Sequence, residues 1–317
     1  MSPSARPPTA FVGITDWDWF SQLRELEGID EVNFWQPSPR GFLALKPGEP
    51  FLFKLHSPRN RIVGCGVFAR HVELPVSMAW EAFGAKNGVR SLVEMRRRVE
   101  RYRRTSVATP NDYEIGCILL EQPTFFEEAD WIEAPDWKPS IQVGRRYRLD
   151  EEPGLSLWRN VEQLMQTGQV AEMSASPMLR ELRAPRYGPP VFTRPRLGQG
   201  SFQAAILDAY ARRCAITGER VLPVLEAAHI VPYGEGGEHR VDNGLLLRRD
   251  LHALFERGYM TVARDLNVLV SKRLKDEFHN GDEYLAMAGR KLMLPAKRED
   301  RPNPQFLDWH SENRFVA

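Results

Sequence analysis

The sequence is short of cysteine: its 317 residues hold three, Cys65, Cys117 and Cys214. An odd number cannot pair off within one chain, and no Cys-x-x-Cys occurs, so the sequence argues against a disulfide framework and a zinc knuckle. The expected compartment is a reducing cytoplasm. Charge of one sign is lacking too. Lys and Arg number 43 against 42 for Asp and Glu, a net charge of +1. That rules out a bulk polycation, so any surface for a polyanion must be a local patch. No run of about 18 apolar residues is present to span a membrane. The first residues, Met1 to Pro8, have no apolar signal core. No internal repeat is visible. What is present, 42% hydrophobic and 10% aromatic residues, is enough for packed cores, and the length suits two domains.

The first part, residues 1–171, reads as a mixed α/β unit. Phe51 to Leu55, Ile62 to Phe68 and Ile115 to Leu120 are short, apolar and β-prone. Lys46-Pro-Gly-Glu-Pro50 is a turn between Phe42–Leu45, also strand-like, and the run from Phe51. Helices are expected from an N-cap near Ser77 to Gly84, and from Ser91 through Arg104. Residues 172–200 are expected to be a linker, because Ala184 to Arg196 is rich in Pro and Arg and Gly198-Gln-Gly200 follows. The second unit, 201–317, opens with a helix over Ser201–Arg213, where Phe202, Ala205, Ile206, Ala209 and Tyr210 recur at helical spacing. Val221–Ile230 reads as strand, Tyr233–Glu238 as loop and Leu245–Leu247 as strand. Asp250 is the expected N-cap of a helix ending at Gly258, and Tyr259–Val262 with Asn267–Val270 reads as a hairpin.

Three residues on this strand–loop–strand–helix stretch carry chemistry: His229, Asn243 and His252. Phosphodiester hydrolysis needs an activated water, stabilised negative charge and a helped leaving oxygen. An imidazole near neutral pKa can take the proton, and a divalent cation can do the rest. His229 is the expected base and His252 an expected metal ligand. Asn243 pins the loop or orients His229, and Gly244 lets the chain turn afterwards. Each also has a structural reading: a packed histidine after an apolar strand, an Asn-Gly turn, a helix residue beside Leu251 and Leu254. The order and spacing of all three favour the chemical one.

Glu226-Ala-Ala-His-Ile-Val-Pro-Tyr233, Gly236-Gly237, Asp242-Asn-Gly-Leu-Leu-Leu247 and Asp250-Leu-His-Ala-Leu-Phe-Glu-Arg-Gly258 resemble the HNH endonuclease family. Arg196 to Phe202 and Arg213 to Gly218 resemble it as well. The resemblance covers about residues 196–270. It implies a ββα-metal fold that cuts DNA with one divalent cation per site, Mg²⁺ or Mn²⁺. By position it implies His229 as base, Asn243 as the middle residue and His252 as the helix ligand. Two positions depart from the family pattern. Ala228 stands where many members place an acidic ligand, so Glu226 or Glu256 is expected to replace it; Glu256 is equally readable as a surface carboxylate. Thr217 stands where a second zinc cysteine would fall, so no structural zinc is expected and Cys214 reads as a small buried hydrophobe.

The first unit is rich in aromatics beside polar residues, as in Thr15 to Phe20 and Asn33 to Gln36. Such rings either build a core or hold a base taken out of the stack. Together with Lys46 to Lys54 leading into a strand, the pattern resembles the PUA-like superfamily, which includes the EVE, ASCH, YTH and SRA domains. That resemblance implies a β-barrel with helices that reads a modified base. The expected fold class is therefore α+β, a PUA-like barrel followed by an HNH unit. The layout resembles modification-dependent restriction endonucleases, which act on DNA carrying 5-methylcytosine or 5-hydroxymethylcytosine. The expected pocket residues are Trp17, Asn33, Trp35 and His56. Arg96, Arg97, Arg101, Arg212 and Arg213 either track phosphates or form solvated faces. One active site per chain and two strands to cut make a homodimer the expected partner state, on double-stranded DNA. The alternatives are an HNH nicking or defence nuclease without modification dependence, and a non-catalytic nucleic-acid reader with a degenerate HNH unit.

Overall fold

The computed structural model describes residues 8–103, 112–175 and 197–317. Two compact units divide the chain, Met1–Pro195 and Arg196–Ala317. Both mix helices and strands, so the fold class is α+β.

In the first unit, β1 (Thr9–Thr15), α1 (Trp17–Arg24), β2 (Glu31–Gln36), β3 (Pro50–Leu55) and β4 (Arg61–Pro75) are followed by α2 (Val76–Phe83) and α3 (Leu92–Arg103). Then come β5 (Glu114–Phe125), β6 (Ile132–Glu133), β7 (Gly144–Arg148) and α4 (Gly154–Ala175). The sheet runs β2-β5-β4-β3-β1-β7, with β6 added to β4. Among the described strands of this sheet only the β1–β3 pair is parallel. Register shifts at Cys65/Val67 and Phe68/Arg70 break up the β4–β5 ladder, as bulges that re-aim a long strand do. Among the described residues the end strands β2 and β7 do not pair, so the sheet is open where a barrel was expected. Helical segments pack against those ends instead: the Gly84–Asn87 turn against β2, and α4 against β7.

β3 is buried throughout because both sheet faces are covered. Phe51, Phe53 and Leu55 join Trp19, Phe20 and Leu23 of α1 in one core. Leu52 points the other way, to Leu157 and Val161 of α4. A fully buried phenylalanine contributes roughly 1.5–3 kcal/mol through the area it removes from water. Most of the aromatic supply is spent here: Trp19 meets Phe53 edge-on at 5.1 Å between ring centres.

Local expectations fail where a partner from elsewhere intervenes. Phe42–Leu45 forms no strand, because the backbone at Phe68 of β4 bonds Gly48 and Glu49. Pro75, not Ser77, precedes α2; Asp112 accepts from the Ser77 backbone and hydroxyl. Of the expected linker, 172–175 still belong to α4, 176–196 lie outside the described residues, and Gln199–Gly200 open the next helix.

The second unit contains α5 (Gln199–Ala209), the hairpin β8 (Leu225–His229) and β9 (Gly244–Arg248), and α6 (Arg249–Glu256). A second hairpin, β10 (Met260–Val262) with β11 (Val268–Val270), precedes α7 (Arg273–Phe278), α8 (Asp282–Leu285) and α9 (Pro304–Asn313). The expected strand from Val221 is shortened to Leu225–His229, since Pro223 holds Leu222–Val224 in a 3₁₀ turn. Arg248, not Asp250, caps α6. Asp250 instead pairs with Arg248, whose hydrogen bond holds its carboxyl below the usual range.

His310 of α9 braces the end of α6. Its ring stacks on Phe255 at 3.7 Å, its Nε2 meets the Phe255 carbonyl at 3.2 Å and its Nδ1 meets the Thr261 hydroxyl at 2.8 Å. Burial pushes its pKa down to about 4. Below the ordinary imidazole value of about 6.5 the unfolded chain binds a proton that the native state refuses. Stability from this site is therefore complete above that value and is lost as pH falls toward 4. Urea midpoints followed across this window should drop by the equivalent of about 3 kcal/mol more for the native protein than for His310→Gln. Equal slopes would show that His310 does not carry the effect.

Candidate active site

The β8–β9 hairpin pairs His229 with Gly244 and Glu226 with Leu247. This register puts the expected base at the loop end of the hairpin, where residues 230–243 join the two strands. Asn243 closes that loop. It is fully buried. Its Oδ1 accepts from the Val231 backbone N–H at 2.9 Å, and its Nδ2 donates to the carbonyls of Val231 and Glu238, each at 3.0 Å. Its own carbonyl accepts from the Ile230 N–H at 2.9 Å. All of these bonds go to the loop backbone and none to the imidazole of His229, so of the two roles weighed the geometry matches pinning.

Gly244 differs from expectation. Its φ is −139° and its ψ 150°, extended backbone that any residue adopts. What requires glycine is proximity: a Cβ there would lie 2.4 Å from Ile206 Cδ1 and 2.8 Å from Phe202 Cζ. The missing side chain lets α5 lie against the hairpin and bring Phe202 under His229.

His229 is half-buried and held on two sides. Phe202 stacks on its ring at 4.0 Å with planes 12° apart. Its Nε2 lies 3.0 Å from Nδ1 of His239, and Tyr233 stacks on His239 in turn, at 4.6 Å. Burial first, then the charges of His239 and His252, push the His229 pKa down to about 4. The imidazole is therefore neutral and carries a lone pair at neutral pH. In the tautomer where Nε2–H donates to His239, that lone pair sits on Nδ1.

The sequence reading missed His239, Tyr233 and Phe202. A third histidine ten residues after the first, in a Gly-rich loop, was the available signal for His239. Phe202 gave none, since it sits on the apolar stripe of α5 and reads as core.

His252 lies in α6 between both expected carboxylates. Its Nδ1 is 2.8 Å from Glu226 Oε2, and its Nε2 is 3.5 Å from Glu256 Oε1. The other Glu226 oxygen pairs with Arg249 Nε at 2.8 Å. Ala228 is fully buried and offers no donor. Among the described residues no group of three or more His, Cys, Asp or Glu is set to hold a cation. Two donors are brought together, however. An oxygen and a nitrogen bound to one ion at 2.0–2.2 Å lie about 3 Å apart, close to the spacing of Glu226 and His252. A magnesium-like ion takes one or two protein ligands and fills its shell with water and phosphate, so this pair fits such an ion.

The expected basic residues separate. Arg97 and Arg101 are exposed one turn apart on α3, and Arg213 is exposed after α5. Arg96 reaches Asp112 at 3.4 Å. Arg212 is half-buried in a left-handed conformation, φ 57°. The four expected pocket residues also part company. Asn33 is fully buried and bonds Asn87 Oδ1 at 2.9 Å; Trp35 Nε1 donates to the Asn87 carbonyl at 3.0 Å. Trp17 is exposed beneath the guanidinium of Arg59, 3.9 Å from its ring. His56 lines a cavity of about 800 Å³.

Residues 214–263 match the HNH endonuclease family. The match contains His229, His239, Asn243 and His252 together with both carboxylates. No curated protein matches the chain. Among solved structures it is similar to the ASCH protein of Zymomonas mobilis, at 13% identity and a TM-score of 0.32, covering 46% of this chain and 93% of that one. A point mutant of that protein gives the same score, identity and share of this chain, with 96% of its own covered. The modification-dependent restriction endonuclease TagI is similar at 13% identity and a TM-score of 0.25, covering 84% of this chain and 62% of that one. No described helix is long and apolar enough to cross a membrane.

Proposed function

We propose that this chain is a metal-dependent DNA endonuclease that restricts duplexes carrying 5-methylcytosine or 5-hydroxymethylcytosine. The observation that carries the reading is the pairing of a neutral, stacked His229 with His239 inside the segment that matches the HNH family. His229 Nδ1 takes the proton of the attacking water. His239 Nδ1 accepts from Nε2–H throughout, so the imidazolium formed keeps its partner and does not rotate. Glu226 and His252 would hold the divalent cation, with Glu256 orienting the second nitrogen of His252. When bound, the ion neutralises charge on the phosphate and assists the leaving oxygen. Asn243 positions the loop. Arg97, Arg101 and Arg213 meet phosphates, while Arg96 and Arg212 are tied to their own surroundings.

Residues 1–171 act as the reader, 172–200 as linker and 201–317 as the cutter. The reader assignment rests on its resemblance to PUA-like domains and on the presence of a cavity of about 800 Å³ in that unit, large enough to admit a base. Two chains act together on the two strands, in the cytoplasm. Cleavage of one DNA sequence in unmodified, 5-methylcytosine and 5-hydroxymethylcytosine forms, with Mg²⁺, Mn²⁺ or EDTA, tests this. A modified form should be cut at least about tenfold faster than the unmodified one, and EDTA should stop the reaction. Equal cutting of every form would favour a nuclease without modification dependence. Binding without cutting under every metal would favour a reader with a degenerate site.

A further inference from the structure

Lys54 occupies a place that lysine rarely takes. It sits between Phe53 and Leu55 on β3 and is 2% exposed. Fully buried lysines are ordinarily paired with a carboxylate. Among the described residues this one has none. Its ammonium donates to the Leu55 carbonyl at 3.2 Å and to Asn60 Oδ1 at 3.0 Å, and stands 4.6 Å from the centre of the Trp137 ring. Burial lowers its pKa. Strand alternation accounts for the placement: Phe51, Phe53 and Leu55 fill the α1 core, and Lys54 falls on the opposite face.

Lys54 there borders the cavity of about 800 Å³, with Ile14, His56, Asn60, Glu133 and Trp137. Small-molecule pockets commonly measure about 300–1,000 Å³. An ammonium has three N–H bonds. Two are spent on neutral acceptors, leaving one for an acceptor on a ligand. The indole offers a flat wall, and Ile14, Ala134 and Ile141 add apolar surface. A bare phosphate suits the cavity poorly, because Glu133 and Asp136 line it too. A planar ring with carbonyl or ring-nitrogen acceptors suits it well: it can stack and take the lysine proton without bringing negative charge.

We propose that this cavity, with Lys54 and Trp137 as its determinants, receives a nucleobase extruded from the duplex. The proposal rests on the reading of the first unit as the reader and names the site where reading occurs. It moves that site away from Trp17, Asn33 and Trp35 and keeps only His56 of the pocket expected from sequence.

The test uses the full chain in EDTA, so that nothing is cut. Fluorescence anisotropy gives affinities for one duplex in its modified and unmodified forms, and for the modified duplex with a mismatch opposite the modified base. NMR saturation transfer gives contact with free cytidine and its 5-methyl and 5-hydroxymethyl forms. Lys54→Met and Trp137→Ala should each reduce the modified-to-unmodified affinity ratio at least about tenfold. Circular dichroism and the urea midpoint of each variant show that it folds. Trp35→Ala should keep the ratio. The mismatch should tighten binding, since less stacking is lost on extrusion. A ratio unchanged in both variants overturns the pocket and leaves the modification-dependent reading standing. If the native chain shows no preference among DNA forms, yet binds a free nucleoside and loses it in Lys54→Met, the reading falls and the pocket stands. Absence of both overturns both.

Discussion

His229→Ala should lower the rate of DNA cleavage by about 10³-fold or more while DNA affinity stays within about twofold. A positioned general base contributes roughly 10²–10⁴-fold, and no other imidazole is placed to substitute. His239 meets His229 at Nε2, on the far side of the ring from the Nδ1 that takes the proton, and both nitrogens of His252 face carboxylates. The neighbouring residue gives the more discriminating measurement. His239→Ala removes the acceptor for Nε2–H and frees the ring to turn on Phe202, so kcat should fall about tenfold to 10²-fold with KM unchanged. His239→Asn, which offers an amide oxygen near the position of Nδ1, should recover part of that loss. The pH profile supplies a second sign. A base must be deprotonated, so the rate falls as pH drops through its pKa. Burial and two nearby imidazoles hold that value near 4, and the acid limb should lie well below the ordinary imidazole value. His239→Ala removes one of those charges and lets in water, so its limb should move upward. Cleavage by His229→Ala within tenfold of native would reject His229 as the base. An unmoved acid limb in His239→Ala would reject the coupling of the pair.

The parts of this site that were legible in the sequence are those fixed by local chemistry. His229, Asn243 and His252 lie on the strand, loop and helix expected of them, because β8, β9 and α6 form one short contiguous unit. Both carboxylates offered as replacements at Ala228 reach His252. One is a turn away on the same helix, and the other faces it from β8. What was not legible depends on elements distant in sequence. Phe202 reads as core from its spacing, and only the docking of α5 on Gly244 makes it a support for the His229 ring. Asn33 and Trp35 read as pocket residues from their neighbours, yet Asn87 from beyond α2 takes both. Lys54 reads as an ordinary alternation in a strand. Its significance comes from Trp137, some eighty residues later, and from the cavity that both of them line. Sheet closure was illegible for the same reason, since it depends on what packs at β2 and β7.

Asn243→Ala should cost about 3–5 kcal/mol of stability. The side chain is fully buried and partners three backbone groups, the N–H and C=O of Val231 and the C=O of Glu238. Each buried group left without its partner costs roughly 1–3 kcal/mol, set against a typical total of about 5–15 kcal/mol. Alanine loses all three bonds. Asn243→Asp has nearly the same shape and keeps the acceptor for Val231, but turns an oxygen toward two carbonyls. At neutral pH it should therefore be as damaging as alanine, and it should recover partly in acid, where protonation restores one donor. Urea unfolding at pH 7 and pH 5 separates these cases. Cleavage gives the second readout, measured at a temperature where each variant remains folded. The loop that Asn243 ties down carries His239 at one end and follows His229 at the other, so loosening it separates the imidazole pair before it unfolds the hairpin. Activity should fall by at least about 10²-fold in molecules that are still native by circular dichroism. If Asn243→Ala unfolds as the native chain does, the side chain is not the brace. If it is destabilised but cuts DNA at the native rate when folded, the loop does not position the base, and Phe202 alone must hold His229 in place.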